Sequence, residues 1–177
     1  MSNEGQTDGI VRRCQAGERA AFEELFEVYQ PRLKYYVRRL DGSDSVDDIL
    51  QDVWLTVFRK ISKLKDGRLF AVWLYRIARN KVYDRFRRKD RFAPLPQENE
   101  LAAADNEKVV FDAGAERVHQ AMEKLKPYHR EVLTLCFLER MSYTDIAEVV
   151  GCGIGTVRSR IYYAKRSLRA EMERQNG

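Results

Sequence analysis

The hydrophobic pattern of this chain breaks near its middle, over residues 93–107 (APLPQENELAAADNE). This stretch contains two prolines together with acids and alanines, and its apolar residues follow no helical spacing. Such a composition predicts a flexible linker. The 177 residues are therefore split into two halves, each long enough to bury only a small core. We predict a first domain over 1–92, a linker over 93–112 and a second domain over 113–177.

Both halves carry apolar residues at intervals of three and four, the spacing of amphipathic helices. The first half predicts three helices, Glu18 to Leu40, Val46 to about Leu64, and about Leu69 to Arg88. Pro31 should kink or break the first helix, and Ser45 is a candidate N-cap for the second. The residues expected to face the core include Phe22, Leu25, Phe26, Tyr29, Ile49, Trp54, Phe58, Phe70 and Ile77.

The second half predicts four helices between about Ala113 and Arg174. One of them should end near Leu125, because Lys126-Pro127 follows it. The predicted fold class is therefore all-α: a three-to-four-helix bundle, then a four-helix domain with a helix-turn-helix, joined by the flexible linker.

The segment GCGIGTVRSR, residues 151–160, looks at first like a phosphate-binding loop. A dinucleotide-binding loop requires a third glycine where this chain has Thr156, and a strand before it where YTDIAEVV has helical spacing. A helix-turn-helix accounts for the segment better. Ser142 and Asp145 are spaced like a capping box, and Gly151 suits the left-handed residue of the turn.

The helix that begins near Gly153 has two different faces. Ile154, Val157, Ile161, Ala164 and Leu168 fall within one sector at 100° per residue. The opposite sector has basic, hydroxyl and aromatic side chains but no aliphatic one, as expected of a helix that enters the major groove of DNA. A solvated basic helix is the alternative. The expected DNA-contacting residues are Thr156, Arg158, Ser159, Arg160, Tyr162, Tyr163 and Arg166.

Charge is unevenly distributed along the chain, whose formal net charge is +5. Residues 76–91 hold eight Lys or Arg and two Asp, and residues 154–170 hold five bases and no acid. Residues 97–118, which include most of the linker, hold six acids and two bases. One basic patch in each domain favours a polyanionic partner such as DNA.

Cysteine and histidine are too few and too scattered to predict a cofactor or metal site. The three cysteines form no CxxC pair, and the two histidines do not combine with them at the spacing of a zinc site. The sequence contains no run of about 18 apolar residues, so it predicts no membrane-spanning helix. We therefore expect a cytoplasmic protein with no cofactor, no metal, no small-molecule substrate and no direct membrane insertion.

Two sets of segments resemble extracytoplasmic-function (ECF) sigma factors of the sigma-70 family. LKPYHREVLTLCFLERMSYTDIAEVVGCGIGTVRSRIYYAKRSLR resembles region 4, which recognises the promoter −35 element. GERAAFEELFEVYQPRLKYYVRRL, DDILQDVWLTVFRKI and FAVWLYRIARNKVYDRFRR resemble region 2. The resemblance spans about residues 17–170. It implies an RpoE-like initiation subunit that performs no chemistry, binds core RNA polymerase and promoter DNA, and is held inactive by an anti-sigma factor.

The resemblance also implies roles for individual residues of the first domain. Asp48, Gln51 and Asp52 match the positions that dock on the clamp helices of the polymerase largest subunit, and their spacing places them on one helix face. The alternative is that these acidic residues only stabilise the start of the helix, where negative charge interacts favourably with the helix macrodipole. Arg76, Arg79, Asn80, Tyr83 and Arg87 match the exposed face that captures the melted −10 element, and the loop Lys63–Arg68 would complete the pocket for a flipped base.

Two positions depart from the family pattern. Gly153 stands where the family often has proline, so the start of the reading helix has a less restricted backbone. Tyr163 stands where several members carry a basic residue, which leaves the preferred −35 sequence open.

Two other classes of function are kept as alternatives. A free-standing helix-turn-helix regulator would use only the second domain, but it would not need an acidic helix followed by a basic aromatic one in the first. A small metal-dependent nuclease would use the carboxylates of residues 41–52, which include five Asp. Two-metal sites usually collect their carboxylates from several segments, whereas these lie on one loop and one helix start.

Overall fold

A computed structural model of the chain describes residues 3–41, 45–88 and 115–175. These residues form helices and turns, with no strand among them, so the all-α prediction is confirmed. The chain divides into two compact units, Met1–Ala93 and Pro94–Gly177. The predicted linker lies outside the described residues, and its boundaries stay predictions. Within the described ranges no helix is long and apolar enough to cross a membrane.

The first unit is built around one long central helix, α2. Its elements are α1 (Asn3–Gln15), α2 (Arg19–Asp41), α3 (Val46–Lys60), two 3₁₀ turns (Ile61–Lys63 and Gly67–Leu69) and α4 (Phe70–Arg88). α2 packs against α1, α3 and α4. Aromatic rings join α2 to α4 edge to face, with ring centroids 5.0 Å apart for Tyr36 and Tyr75 and 5.2 Å apart for Tyr29 and Phe70. This core fixes the positions of α3 and α4, which carry the predicted site residues.

The first helix, α1, was not predicted from the sequence. Thr7, Ile10, Val11 and Cys14 recur at intervals of three and four and could have indicated it. Thr7, Ile10 and Val11 are buried. The signal was weak because the remaining residues of this stretch are polar.

Two expectations about helix ends in this unit are met only in part: Pro31 does not break α2, and Ser45 stands at the N-cap of α3 without a side-chain cap. α2 continues through Pro31, whose side chain is exposed, because buried residues on both sides of it hold the helix to its neighbours. Ser45 precedes α3 but makes no capping hydrogen bond. Its hydroxyl instead donates to the Asp41 carboxylate at 3.1 Å, which ties the start of α3 to the end of α2.

The second unit packs three helices around one. Its elements are α5 (Ala115–Glu123), α6 (Pro127–Leu133) continued by a π-helical turn (Thr134–Leu138), α7 (Tyr143–Val150) and α8 (Ile154–Arg174). α8 contacts α5, α6 and α7. The helix predicted to end near Leu125 ends at Glu123, two residues earlier, and the next two N–H groups donate three residues back, to Ala121 and Met122. Pro127 begins the following helix, a position that suits proline.

The turn between α7 and α8 has the predicted helix-turn-helix geometry. Ser142 Oγ accepts a hydrogen bond from the Asp145 N–H at 3.1 Å, and the Asp145 carboxylate accepts one from the Ser142 N–H at 3.3 Å. Gly151 has φ +70° and ends α7 in the left-handed region. Gly153 has φ −70° and ψ 153° and is the N-cap of α8. The capping box and the role of Gly151 are therefore confirmed.

These two glycines should respond to substitution in opposite directions. Gly151→Ala should destabilise the second unit by about 1–2 kcal/mol, because a side chain disfavours positive φ. Gly153→Ser should stabilise it by about 0.5–1 kcal/mol, because its φ suits any residue and serine can cap α8. No heavy atom lies within 4 Å of a Cβ built at either position, so packing does not complicate the comparison.

Urea unfolding followed by far-UV circular dichroism measures both effects. The chain has two tryptophans, Trp54 and Trp73, and both lie in the first unit, so their fluorescence reports on an unchanged internal control. If both substitutions moved the unfolding midpoint of the second unit in the same direction, the backbone argument would be contradicted.

Candidate nucleic-acid and protein interfaces

The solvent side of α8 carries a stripe that we name the α8 face: Arg158, Tyr162 and Arg166. Both arginines are exposed and the tyrosine between them is half-buried. Arg166 Cζ lies 5.9 Å from the centre of the Tyr162 ring, a cation–π distance. Eight residues of helix span about 12 Å. Base pairs are stacked about 3.4 Å apart, so the α8 face is long enough to reach several of them in succession.

Three other predicted residues flank this stripe and are half-buried: Thr156, Arg160 and Tyr163. Arg160 packs against its own unit, with Nη1 4.0 Å from Cys152 Sγ and Cζ 5.6 Å from the centre of the Tyr128 ring. The Tyr163 ring meets the Tyr162 ring edge to face at 5.2 Å. Arg160 thus braces the turn before α8, and the residue as a whole stays half-buried.

Ser159 was predicted to face DNA, and this was wrong. The residue is 1% exposed, and its hydroxyl donates to the Gly155 carbonyl oxygen at 3.1 Å. Because three helices pack around α8, its buried sector is wider than the aliphatic residues alone indicate, and the helix backbone satisfies the hydroxyl. Ile154 is the opposite case: it belongs to the apolar sector of the helix, yet it is 41% exposed at the first turn of α8.

A second stripe runs along α4, and we name it the α4 face: Arg76, Asn80, Tyr83 and Arg87. Arg76, Asn80 and Arg87 are exposed, and Tyr83 is half-buried. Arg87 pairs with Asp84 one turn earlier on the same helix. Within the described residues, Arg76 and Asn80 have no hydrogen-bond or ion-pair partner for their side chains. Cations, an amide and a ring therefore share one exposed face.

Arg79 was predicted to belong to the exposed set, and this was wrong. It is 9% exposed because Tyr75 and Val82, at i−4 and i+3, are fully buried and its stem lies beside them. Its Cζ lies 4.4 Å from the centre of the Tyr83 ring. Arg79 is therefore largely buried and stacks on the Tyr83 ring, and its guanidinium is not part of the exposed surface.

The loop that precedes α4, residues 61–69, contributes further cations. Lys63, Lys65 and Arg68 are exposed. The Asp66 carboxylate accepts from the Arg68 side chain at 2.8 Å and from the Arg68 N–H at 3.0 Å, and these bonds lower the pKa of Asp66. The pair closes a tight local turn just before the α4 face.

The acidic start of α3 separates into paired and unpaired carboxylates. Asp47 accepts from Lys34 Nζ at 2.7 Å, and this bond lowers the pKa of Asp47. Asp48, Gln51 and Asp52 are exposed, and among the described residues their side chains have no ion pair or hydrogen bond. At the start of α3, the three residues predicted to dock on a partner are thus exposed and unpaired among the described residues, in contrast to Asp47.

An apolar groove of about 500 Å³ lies between α2 and α3, beside Gln51. Phe58 is 68% exposed, Leu55 45% and Phe26 38%. Phe26 and Phe58 were expected in the core, and this was wrong, because the apolar surface of α2 and α3 is wider than the other helices cover. The adjacent apolar pair Trp54-Leu55 could have indicated a second apolar face. The groove is lined by Phe22, Phe26, Gln30, Asp47, Leu50, Gln51, Trp54, Leu55 and Phe58.

Of the carboxylates considered for a nuclease, Asp41 and Asp47 are engaged in local structure, whereas Asp48 and Asp52 are exposed to solvent. Asp41 accepts from Ser45, and Asp47 accepts from Lys34. Across residues 3–41, 45–88 and 115–175, no three His, Cys, Asp or Glu side chains converge as metal ligands would. Asp44 lies outside the described residues.

Two family descriptions match the chain in order. Sigma-70 region 2 matches residues 25–92, and Sigma-70, region 4 matches residues 115–168. The first match includes α3, the loop 61–69 and α4, and the second includes α7 and all of α8 except its last six residues. α1 lies outside both matches.

Curated relatives and solved structures agree with these matches. The chain is 30% identical to the RNA polymerase sigma-H factor of Pseudomonas aeruginosa, over 95% of this chain and 94% of that protein. It is 28% identical to the ECF RNA polymerase sigma-E factor of Haemophilus influenzae, over 98% of each. In fold it is similar to the sigma factor RpoE of Bartonella quintana, which was solved with the anti-sigma factor NepR. The TM-score is 0.67 and the identity 24%, over 86% of this chain and 96% of that one. CnrH, solved with the cytosolic domain of CnrY, gives the same TM-score and identity, over 94% of this chain and 97% of that one.

Proposed function

Because the chain belongs to the sigma-70 family, as an RpoE-like ECF sigma factor, we propose how its surfaces divide the work of transcription initiation. An alternative sigma factor binds core RNA polymerase and directs it to selected promoters, and this is the function of the chain. The observation that carries it is the presence of region 2 and region 4, in order, in a chain 30% identical to a sigma factor over 94% of that protein.

Core polymerase docks on the exposed side of α3. The carboxylates of Asp48 and Asp52 are available to cations of a partner, because they are exposed and the unit pairs them with no cation among the described residues. The groove beside Gln51 supplies the apolar part of the same surface, with Phe58 at its rim. An acidic edge beside exposed aromatic rings suits a partner helix with a basic and an apolar side.

The α8 face contacts the −35 duplex. Arg158 is the leading base-reading residue, since it is exposed and no ion pair within the described chain competes for its guanidinium. Arginine can form two hydrogen bonds to a guanine edge in the major groove. Arg166, Tyr162 and the flanking Thr156, Arg160 and Tyr163 position the helix through phosphates or neighbouring bases. Ser159 is left out because it is buried.

The α4 face captures the −10 element as single-stranded DNA. Arg76 and Arg87 attract phosphates, Tyr83 offers a ring for stacking, and Asn80 offers an amide to the edge of an unstacked base. Arg79 acts through Tyr83, whose ring it supports. Unstacking DNA costs about 1.4 kcal/mol per base-pair step, and captured bases offset this cost.

Asn80→Ala should slow promoter opening more than it weakens initial promoter binding. Removing one hydrogen-bonding group from a captured base should cost about 1–2 kcal/mol, or roughly 5- to 30-fold in the opening rate. Stopped-flow fluorescence of a base analogue in the −10 segment measures opening, and a filter-binding assay at low temperature measures the closed complex. Gln120→Ala removes an exposed amide from α5 and serves as the control. An unchanged opening rate would contradict the assignment.

The protein itself performs no chemistry and acts in the cytoplasm, where polymerase and chromosome meet. An anti-sigma factor holds it inactive, and the solved complex of Bartonella quintana RpoE with the anti-sigma factor NepR supports a partner of this kind. Reversible occupation of the α2–α3 groove would exclude polymerase from its docking surface. This places the control of activity in a protein partner instead of in a small ligand.

The experiment that tests this function is reconstitution. Core bacterial polymerase and the full chain, mixed with genomic fragments of the source organism, should together retain and open a small set of fragments. Neither component alone should do so. Tight sequence-specific retention by the chain alone, with no effect of polymerase, would favour the free-standing regulator.

A further inference from the structure

α1 has no assigned role, since the region 2 match begins at residue 25. It is nevertheless an integral part of the first unit. Val11 is fully buried and Ile10 is 5% exposed. Thr7 Oγ1 lies 3.2 Å from the Tyr29 hydroxyl of α2, and Arg13 Nη1 donates to the Glu24 carboxylate of α2 at 2.9 Å. α1 is thus attached to the central helix along much of its length.

The other side of α1 contacts the loop 61–69. At the start of the loop, Gln15 Nε2 donates to two carbonyl oxygens, that of Ile61 at 2.9 Å and that of Leu64 at 2.8 Å. Further on, a Cβ placed on Gly67 would lie 2.5 Å from Asp8 Oδ1, 3.0 Å from Asp8 Cα and 3.2 Å from Val11 Cβ. Only glycine allows the loop backbone to approach α1 this closely.

These contacts hold the backbone conformation of the loop 61–69, which has little regular structure of its own. The loop consists of two 3₁₀ turns joined through Leu64, whose φ of −73° and ψ of 112° are extended. The Ile61 carbonyl also accepts from the Leu64 N–H at 3.1 Å within the first turn. The carbonyl of the extended residue Leu64 lacks the partner that a helix or sheet provides, so a side-chain donor favours one conformation there. Gln15 bridges the carbonyls of Ile61 and Leu64, at the start of the first turn and just after it, and so braces this turn at the point where the loop becomes extended.

We propose that α1 is a positioning element for −10 recognition: Gln15, together with the close approach at Gly67, holds the loop 61–69 in the shape that receives a −10 base. The proposal rests on the proposed capture of the −10 element by α4 and this loop. Gln15 does not touch DNA in this account. Its effect on selectivity passes entirely through the carbonyls that it holds.

The test removes the two donors without shortening the side chain. Gln15→Met keeps the length and the apolar stem but cannot donate. Gln15→Lys restores a donor toward the two carbonyls. Gln6→Met makes the same chemical change on the same helix at an exposed position and is the matched control. Each full chain is combined with core polymerase.

The probe is a pool of duplexes made from a promoter found by reconstitution, with its −35 element kept and its −10 segment randomised. Open complexes are captured and sequenced. Gln15→Met should reduce the preference for the best −10 sequences about threefold to tenfold, the scale of two modest hydrogen bonds. Its −35 preference and its affinity for core polymerase should stay at the parent values, Gln15→Lys should recover most of the preference, and Gln6→Met should match the parent.

Three results would overturn the proposal in distinguishable ways. A parent-like −10 profile for Gln15→Met would show that the loop does not need Gln15. A parallel fall in −10 preference and polymerase affinity, without recovery by Gln15→Lys, would assign α1 a general stabilising role. A parent holoenzyme with no −10 preference would contradict the capture by α4 itself, and the role of α1 with it.

Discussion

Asp52→Lys should lower the affinity of the chain for core polymerase by about 2–4 kcal/mol, or roughly 30- to 900-fold. The wild-type carboxylate is exposed and has no internal partner among the described residues, so its charge is available to a cationic partner. Lysine replaces attraction with repulsion at the centre of the docking surface. The residue is exposed on α3, and lysine favours the helix, so the fold of the unit should be preserved.

Fluorescence anisotropy of a labelled chain titrated with core polymerase measures this effect. Glu173→Lys makes the same charge change at an exposed position near the end of α8 and controls for net charge. A salt titration adds an independent check, because the difference between parent and Asp52→Lys should shrink as ionic strength rises. Equal affinities for parent and Asp52→Lys at low salt would contradict the docking assignment.

Arg158→Ala should weaken recognition of the −35 element by about 1–3 kcal/mol, or roughly 5- to 150-fold, if its guanidinium forms two hydrogen bonds to a guanine. The loss should be confined to promoters that carry this guanine. On promoters with another base there, parent and variant should bind alike. The preference at one −35 position should therefore disappear while the other positions keep theirs.

Two further variants separate base contact from charge. Arg158→Lys keeps the charge but loses the planar pair of donors, so it should lose most of the discrimination as well. Arg174→Ala removes one charge at the other end of α8 and should leave −35 preference unchanged. Quantitative sequencing of promoter variants bound by holoenzyme measures the −35 preference of each of these two variants. A uniform loss across all −35 sequences would identify Arg158 as a phosphate contact instead.

The helix-turn-helix could be predicted residue by residue because its geometry depends on local chemistry. A capping box needs a hydroxyl and a carboxylate three residues apart, and a left-handed turn favours glycine. Ser142, Asp145 and Gly151 meet these requirements within ten residues of sequence. Long-range packing did not need to be known.

Predictions that depended on how far neighbouring helices cover a surface were less successful. Ser159 and Arg79 are polar residues placed on apolar sectors by the tertiary packing of α8 and α4, where a backbone carbonyl and an aromatic ring accommodate them. Phe58 is the converse case, an apolar residue that the neighbouring helices leave uncovered. Helical periodicity gives the direction of a side chain, but burial depends on which partner helix lies there.

The contacts of α1 with the loop 61–69 belong to the same class. Gln15 and Ile61 are 46 residues apart in the chain, and no local pattern links them. Gly67 could have drawn attention as a glycine before a helix, but its reason, the close approach of Asp8, exists only in the folded unit. Long-range contacts of this kind decide which loop conformation accompanies the α4 face.

Run-off transcription tests the central claim most directly. Purified chain and core bacterial polymerase are incubated with a fragmented genomic library of the source organism, and the transcripts are sequenced. We expect discrete transcripts that vanish without the chain, that start downstream of a shared pair of −35 and −10 sequences, and that are lost with Asp52→Lys. No transcripts from a folded chain that binds promoter duplex specifically by itself would contradict the sigma-factor account and support the free-standing regulator.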